Sequence, residues 1–342
     1  MYCIGAMLFE HNKPLVIGKI KLPKLKKGQV LVKIAYSGIC QTQILEINGS
    51  KDNKKYLPHC LGHEASGYVV EIGEDVSNVK VGDKVVLTWI KNCGIEAGGS
   101  VFEYDNHKIN AGPITTFSEY TIVSENRLYV LTKDISMQEA SLLGCVIPTG
   151  LGAVLNVAKP KNNQSIVIFG CGGIGLLAIQ AAKISGCNPI IAIDLFENKL
   201  EEAKRCGATH GINAKNYSNE KIQEICKEID FAIEASGNSK AMLNALDVVR
   251  PFSGKAIIVG NIHYDQTIEI NPKHFNMGKS LIGTWGGNSK PFEHYGIYEE
   301  LIFNKQLDMS IFLKNIFNIH DINKAIDEFM SGKINRVLIK FN

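Results

Sequence analysis

The chain has 342 residues, more than one typical domain holds, so two domains are expected. Hydrophobic residues make up 45% and charged residues 21%, the balance of a globular protein with full cores rather than of a disordered chain. A net charge of +3, spread along the sequence, argues against a nucleic-acid or membrane-surface partner, and no apolar run approaches the length of a membrane span. In chain order, the N-terminus lacks a basic segment followed by a long apolar one, so no secretory leader is expected. The lysines from Lys19 to Lys27, interrupted by Pro23, read as a solvated turn. Alternating apolar and polar residues predict strands over 29–36, 66–72, 83–89, 118–123 and 128–131. Residues 91–113, rich in glycine, read as an irregular surface lobe.

The pattern changes near Met137. Six short apolar strands, near 166–169, 190–193, 209–212, 231–235, 256–260 and 280–284, alternate with helical segments near 174–185, 197–206, 218–228 and 239–249. Strands alternating with helices predict a doubly wound parallel sheet. The connection through Asn271 and Pro272 predicts no full helix, and the tail from about Gly287 alternates helix and strand and is expected to rejoin the first domain. Nine cysteines, an odd number with no Cys-x-x-Cys pair, suit a reducing cytoplasm better than a disulfide framework.

The most informative stretch is 165–194. An apolar strand stops at Gly170-Cys171-Gly172-Gly173-Ile174-Gly175, a helix follows, and the next strand ends on Asp194. A lone Gly-x-Gly-x-x-Gly says little; between a strand and a helix, with an acid at the next strand end, it reads as a dinucleotide site. Gly170 makes the tight turn, Gly172 admits a pyrophosphate to the backbone, and Gly175 lets helix and strand pack closely. The helix start offers free N–H groups to the phosphates. Asp194 is placed to accept hydrogen bonds from an adenosine ribose and to repel a 2′-phosphate, which favours NAD over NADP.

Such a domain needs a partner that holds the substrate, and the first domain offers Cys40, His63 and, just before the nucleotide domain, Cys145. Two thiolates, an imidazole and an open fourth position make a catalytic zinc site. Spacing alone leaves a plain structural reading open for each of the three.

The long matching text is Gly62-His63-Glu64, Val81-Gly82-Asp83-Lys84-Val85, Thr115-Thr116-Phe117-Ser118-Glu119-Tyr120, Gly144-Cys145, Thr149-Gly150 and the glycine loop through Asp194. Over nearly its whole length the chain resembles the zinc-containing medium-chain alcohol dehydrogenases. The resemblance implies a GroES-like β-rich catalytic domain over 1–146, a Rossmann NAD-binding domain with a six-stranded parallel sheet over 147–285, and a segment over 286–342 that rejoins the catalytic domain. It implies one catalytic zinc on Cys40, His63 and Cys145, with Glu64 as a helper near the metal and Thr42 taking the alcohol's proton. Thr149 packs against the nicotinamide, Lys199 lies near the ribose beside Asp194, Arg336 reaches the pyrophosphate, and Trp89 lines the substrate pocket. The activity implied is zinc-assisted hydride transfer between NAD and an alcohol/carbonyl pair, in a homodimer or homotetramer.

The sequence departs from that family in three places. Of the four cysteines that hold a second, structural zinc in many relatives, only Cys93 remains, and Glu96 stands where another ligand would fall, so a single zinc is expected. Gln43 replaces the usual Asp that orients the zinc-binding histidine, and brings no charge. Leu45 stands about where a relay histidine belongs, so the proton leaves from the ribose directly to water. Oxidation of a polyol or sugar-derived alcohol is the nearest alternative; Cys145, where polyol enzymes often carry Glu, tilts against it. A zinc-free quinone-reductase-like enzyme or a non-catalytic NAD-binding protein would lack some of the three ligands, and none is missing.

Overall fold

A computed structural model describes residues 1–51 and 54–342, which divide into two units, 1–145 with 290–342 and 146–289. No helix among the described residues is long and apolar enough to cross a membrane.

The first unit is β-rich. Strands Tyr2–Leu8, Val16–Lys21, Ser100–Tyr104, His107–Gly112 and His59–Cys60 close, in that order, into a small barrel. Cys3, Met7, Ile20, Phe102 and Ile109 fill it. A second sheet runs in the order Leu128–Val130, Lys84–Thr88, Glu64–Ile72, Gln29–Ile39, Val337–Lys340, Ile316–Asn318, with Tyr120–Ser124 also paired to Gln29–Ile39. Its core joins Val32, Ile34, Leu61, Leu87 and Phe117 to Ile326 and Ile339 from the end of the chain. Strand Val337–Lys340 is antiparallel to Gln29–Ile39, with Val337 opposite Ile39.

Two local readings of the sequence are corrected here. The lobe over 91–113 is not irregular throughout: Ser100–Tyr104 and His107–Gly112 form an antiparallel hairpin. Its two-residue turn is Asp105-Asn106, with φ of 43° and 64°, the left-handed pair that matches the twist of a tight hairpin. The lysine-rich segment is not all turn either, because Lys19 and Lys21 belong to strand Val16–Lys21, where they alternate with buried Ile20. Alternation put the charged side chains outward and the one apolar residue into the barrel.

The second unit carries a six-stranded sheet in the order His210–Asn213, Ile190–Asp194, Ile166–Phe169, Phe231–Glu234, Lys255–Ile258, Ser280–Gly283. Every neighbouring pair is parallel. The central strands are apolar along their length, as expected when helices cover both faces. Helices Gly173–Ile184, Glu197–Cys206, Asn219–Ile225 and Ser239–Val248 connect them, and the last connection holds only the four-residue helix Lys273–Asn276. The strand order reverses beside Ile166–Phe169, so the chain leaving that strand emerges at the switch point where α/β sheets bind ligands.

Candidate active site

In the first unit, sheet register brings the three metal-ligand candidates together. Ser37 lies opposite Ala65, and Glu64 lies opposite Thr88. The chain running past Ser37 therefore delivers Cys40 beside His63, which precedes Glu64. The Thr88 hydroxyl donates to the Gly144 carbonyl at 2.8 Å and meets the buried Tyr295 hydroxyl at 3.0 Å, anchoring the residue before Cys145. Gly62 turns the chain into His63 at φ +95°, a conformation that L side chains avoid. One ligand atom from each of Cys40, His63 and Cys145 lies within 4.8 Å of the others, and no other such group occurs among the described residues.

The chemistry of this cluster fits zinc. His63 Nε2 is buried and makes no hydrogen bond among the described residues. The Cys145 side chain, then His63 and Arg336, outweigh burial and hold the Cys40 thiol well below the ordinary thiol range. Two soft thiolates and an imidazole are three protein ligands, the number that leaves a place for substrate.

The surrounding residues close the site on one side. Gln43, 1% exposed, accepts the Cys40 backbone N–H at 3.0 Å and lies 2.5 Å from His63 Nδ1. Arg336 precedes Val337, whose partner is Ile39, so its guanidinium arrives next to Cys40 and pairs with the fully buried Glu64 carboxylate. Burial lowers the Arg336 pKa while Cys40 raises it. Gly38 leaves room for this pair; a Cβ there would meet Glu64 Oε1 at 2.5 Å and Arg336 Nη2 at 2.7 Å. Thr42 is half-buried in the first turn of helix Gln41–Ile47, and Leu45 is buried one turn on. Trp89 is half-buried against the sheet core, and its carbonyl accepts from Arg127. Glu46, one turn beyond Gln43, went unnoticed in the sequence: burial pushes its carboxyl up, and the neighbouring Gln43 side chain partly counters that. Its helical spacing of three from Gln43 was the available signal.

In the second unit, Gly170 leaves strand Ile166–Phe169 at φ +90°, and a Cβ on Gly175 would meet the Gly170 carbonyl at 1.8 Å. A Cβ on Gly172 would meet nothing within 4 Å, which is the open cradle a phosphate needs. Gly173 and Ile174 begin helix Gly173–Ile184. The Asp194 carboxylate accepts the Cys171 N–H at 2.7 Å and the Phe196 N–H at 3.1 Å, so it is fixed against the glycine loop. The Lys199 ammonium sits 5.5 Å from the centre of the Phe196 ring. Thr149 is buried in helix Val146–Gly152 of the same unit.

Known proteins with the same pattern are many. Residues 26–133 match the alcohol dehydrogenase GroES-like domain, and residues 173–301 match the zinc-binding dehydrogenase family. The class-P alcohol dehydrogenase of Arabidopsis thaliana is 32% identical, across 98% of this chain and 97% of that one. The crystal structure of an alcohol dehydrogenase zinc-binding domain protein from Burkholderia ambifaria superposes with a TM-score of 0.90 at 25% identity, over 100% of this chain and 99% of that one. Benzyl alcohol dehydrogenase from Acinetobacter calcoaceticus superposes with a TM-score of 0.88 at 27% identity, over 100% of both chains.

Proposed function

The chain belongs to the zinc-containing medium-chain alcohol dehydrogenase family, and on that footing we propose that Cys40, His63 and Cys145 hold the single zinc of its active centre. The protein is an oxidoreductase that moves a hydride between NAD and an alcohol/carbonyl pair. The observation that carries the assignment of residues is the convergence of two thiols on a buried imidazole nitrogen that no hydrogen bond satisfies among the described residues. Zinc held there supplies a Lewis acid for the substrate oxygen, and NAD supplies the hydride acceptor.

The remaining steps fall to named side chains. Thr42 holds the alcohol's proton at its hydroxyl and passes it on. Leu45 carries no proton, so in this reading the relay ends at the cofactor ribose and water. Glu64 and Arg336 neutralise each other beside the ligands, and Arg336 also offsets the charge of Cys40. A pyrophosphate contact by Arg336 would require the Glu64 pair to open. Gly172 and the N–H groups of Gly173, Ile174 and Gly175 receive the phosphates. Asp194, held by two backbone N–H groups, keeps lone pairs for a ribose diol and repels a 2′-phosphate, with Lys199 beside it. Thr149 supports the nicotinamide, and Trp89 lines the substrate pocket. Free cysteines at all nine positions suit a reducing cytoplasm, and the active form in this reading is a homodimer or homotetramer.

Zinc analysis with an NADH-formation screen across primary alcohols, secondary alcohols and polyols tests the assignment. About one zinc per chain and turnover of simple alcohols are expected. Turnover confined to polyols would move the substrate class, and activity that survives zinc removal would sink the metal assignment. Asp194→Gly is expected to shift the NAD/NADP preference toward NADP by on the order of tenfold, measured as the ratio of the two kcat/KM values; an unchanged ratio would refute the role of Asp194.

A further inference from the structure

Gln43 faces two hydrogen-bond donors with one oxygen. It is the third residue of helix Gln41–Ile47, and its Oε1 accepts the N–H of Cys40, the residue that caps that helix. The same amide presents Nε2 to His63 Nδ1. Glu46 lies one turn along the helix, where the Gln43 side chain counters the burial that pushes its carboxyl up, and a carboxylate on that side favours the amino group there. Among the described residues the Cys40 N–H finds its acceptor in Gln43, which places the amide oxygen on that side and the amino group toward His63.

A histidine that gives its Nε2 lone pair to a metal carries its proton on Nδ1 and needs an acceptor there. In the orientation just described the amide meets Nδ1 with a donor. Turning the amide over would supply the oxygen, but it would aim Nε2 at the Cys40 N–H. A carboxylate at this position would have two oxygens and could serve both N–H groups at once.

We propose that Gln43 couples the helix cap at Cys40 to the tautomer of His63, so that ligation through His63 Nε2 turns the amide over and opens the cap, and zinc is held less tightly than a carboxylate at this position would allow. The inference rests on the ligand set proposed above. Gln43 is a positioning residue here, and its effect reaches zinc only through His63 and Cys40.

The test exchanges the two side chains. In Gln43→Glu with Glu46→Gln, one carboxylate oxygen accepts the Cys40 N–H, the other accepts His63 Nδ1–H, and the new amide at position 46 donates back. Zinc affinity, measured by competition with a chromogenic chelator, is expected to tighten by roughly tenfold or more. Unchanged or weaker affinity in a folded double variant overturns the proposal. A second measurement needs no variant: the Cys40 amide proton of the unaltered protein, followed by NMR hydrogen exchange, is expected to exchange faster when zinc is added, because the cap opens. Slower exchange, as plain rigidification would give, also overturns it. Failure of the unaltered protein to bind zinc at all would overturn the ligand set itself, a result distinguishable from either of these.

Discussion

In the lobe after Trp89, Glu96 is held by Lys91 and by Arg127, each at 2.9 Å, while Arg127 also donates to the Trp89 carbonyl. Next to it the buried Glu125 carboxylate accepts the backbone N–H groups of Ser77, Asn78 and Ile95. At the end of strand Gln29–Ile39, by contrast, Cys40 and Cys145 converge on a His63 nitrogen that no described residue satisfies. The two clusters belong to one unit, and both gather polar side chains. The lobe balances its charges with protein groups, and its one cysteine, Cys93, is exposed. The other cluster is the one we propose for zinc, where an ion of the right softness would complete it. A metal site is therefore marked less by the number of polar side chains than by what the protein leaves unsatisfied among them.

The largest expected effect separates the two regions outright. Cys145→Ser should remove the bound zinc and lower kcat/KM by on the order of 10³-fold or more, since a metal Lewis acid supplies several kcal/mol of charge stabilisation. Cys93→Ser should leave zinc content, measured by elemental analysis, at about one per chain. A loss of half the metal in that variant would show that the lobe binds an ion after all.

Next in size is the lobe's own ion pair. Glu96→Ala leaves the Arg127 guanidinium, whose side chain is only 8% exposed, without its carboxylate and with the Trp89 carbonyl alone. Because Glu96 is itself 32% exposed, the cost is expected to be about 2 kcal/mol rather than the full penalty of a buried pair, read from the urea unfolding midpoint. Zinc content should not change; if it falls with stability, the two regions are coupled and the contrast between them fails.

The smallest effect is a slope. Burial pushes the Glu125 carboxyl up, but the Asn78, Ile95 and Ser77 N–H groups outweigh it and hold the group below its ordinary value. Glu96 is likewise pushed up by burial and brought below its ordinary value by Lys91 and Arg127. A carboxyl depressed in the folded state contributes stability that is present above its unfolded pKa, about 4.3, and lost as pH falls through the folded one. Glu125→Gln should therefore flatten the acid side of the stability profile by up to about one proton. Urea unfolding between pH 6 and 3 checks this, and an unchanged slope would deny Glu125 its role.

The strongly periodic parts of the molecule were legible in the sequence. Strand Ile166–Phe169, the glycine loop and the strand ending at Asp194 stand where hydrophobic runs and turn residues put them. The 100–112 hairpin escaped notice because its strands are short and its turn is Asp-Asn rather than the commoner Asn-Gly, although Val101, Phe102 and Glu103 do alternate. The residues of the metal centre could be named from a family pattern, but their supports could not. The pairing of Glu64 with Arg336 depends on a register between strands far apart in the chain, which no local pattern encodes. Glu46 and the two-sided use of Gln43 depend on side-chain directions around a short helix, and those are fixed only once His63 has been brought alongside.

The pairing of Val337–Lys340 with Gln29–Ile39 also sets an order of events on the ribosome. The unit over 146–289 lies wholly between the two halves of the other and can fold as soon as it has left the exit tunnel. The sheet that carries Cys40 waits for a strand made after that whole unit, and until it pairs Glu64 lacks the arginine that neutralises it. Completion of the surroundings of the proposed metal site is thus governed by the arrival of that strand rather than by the appearance of Cys40, His63 and Cys145, all of which precede it in the chain.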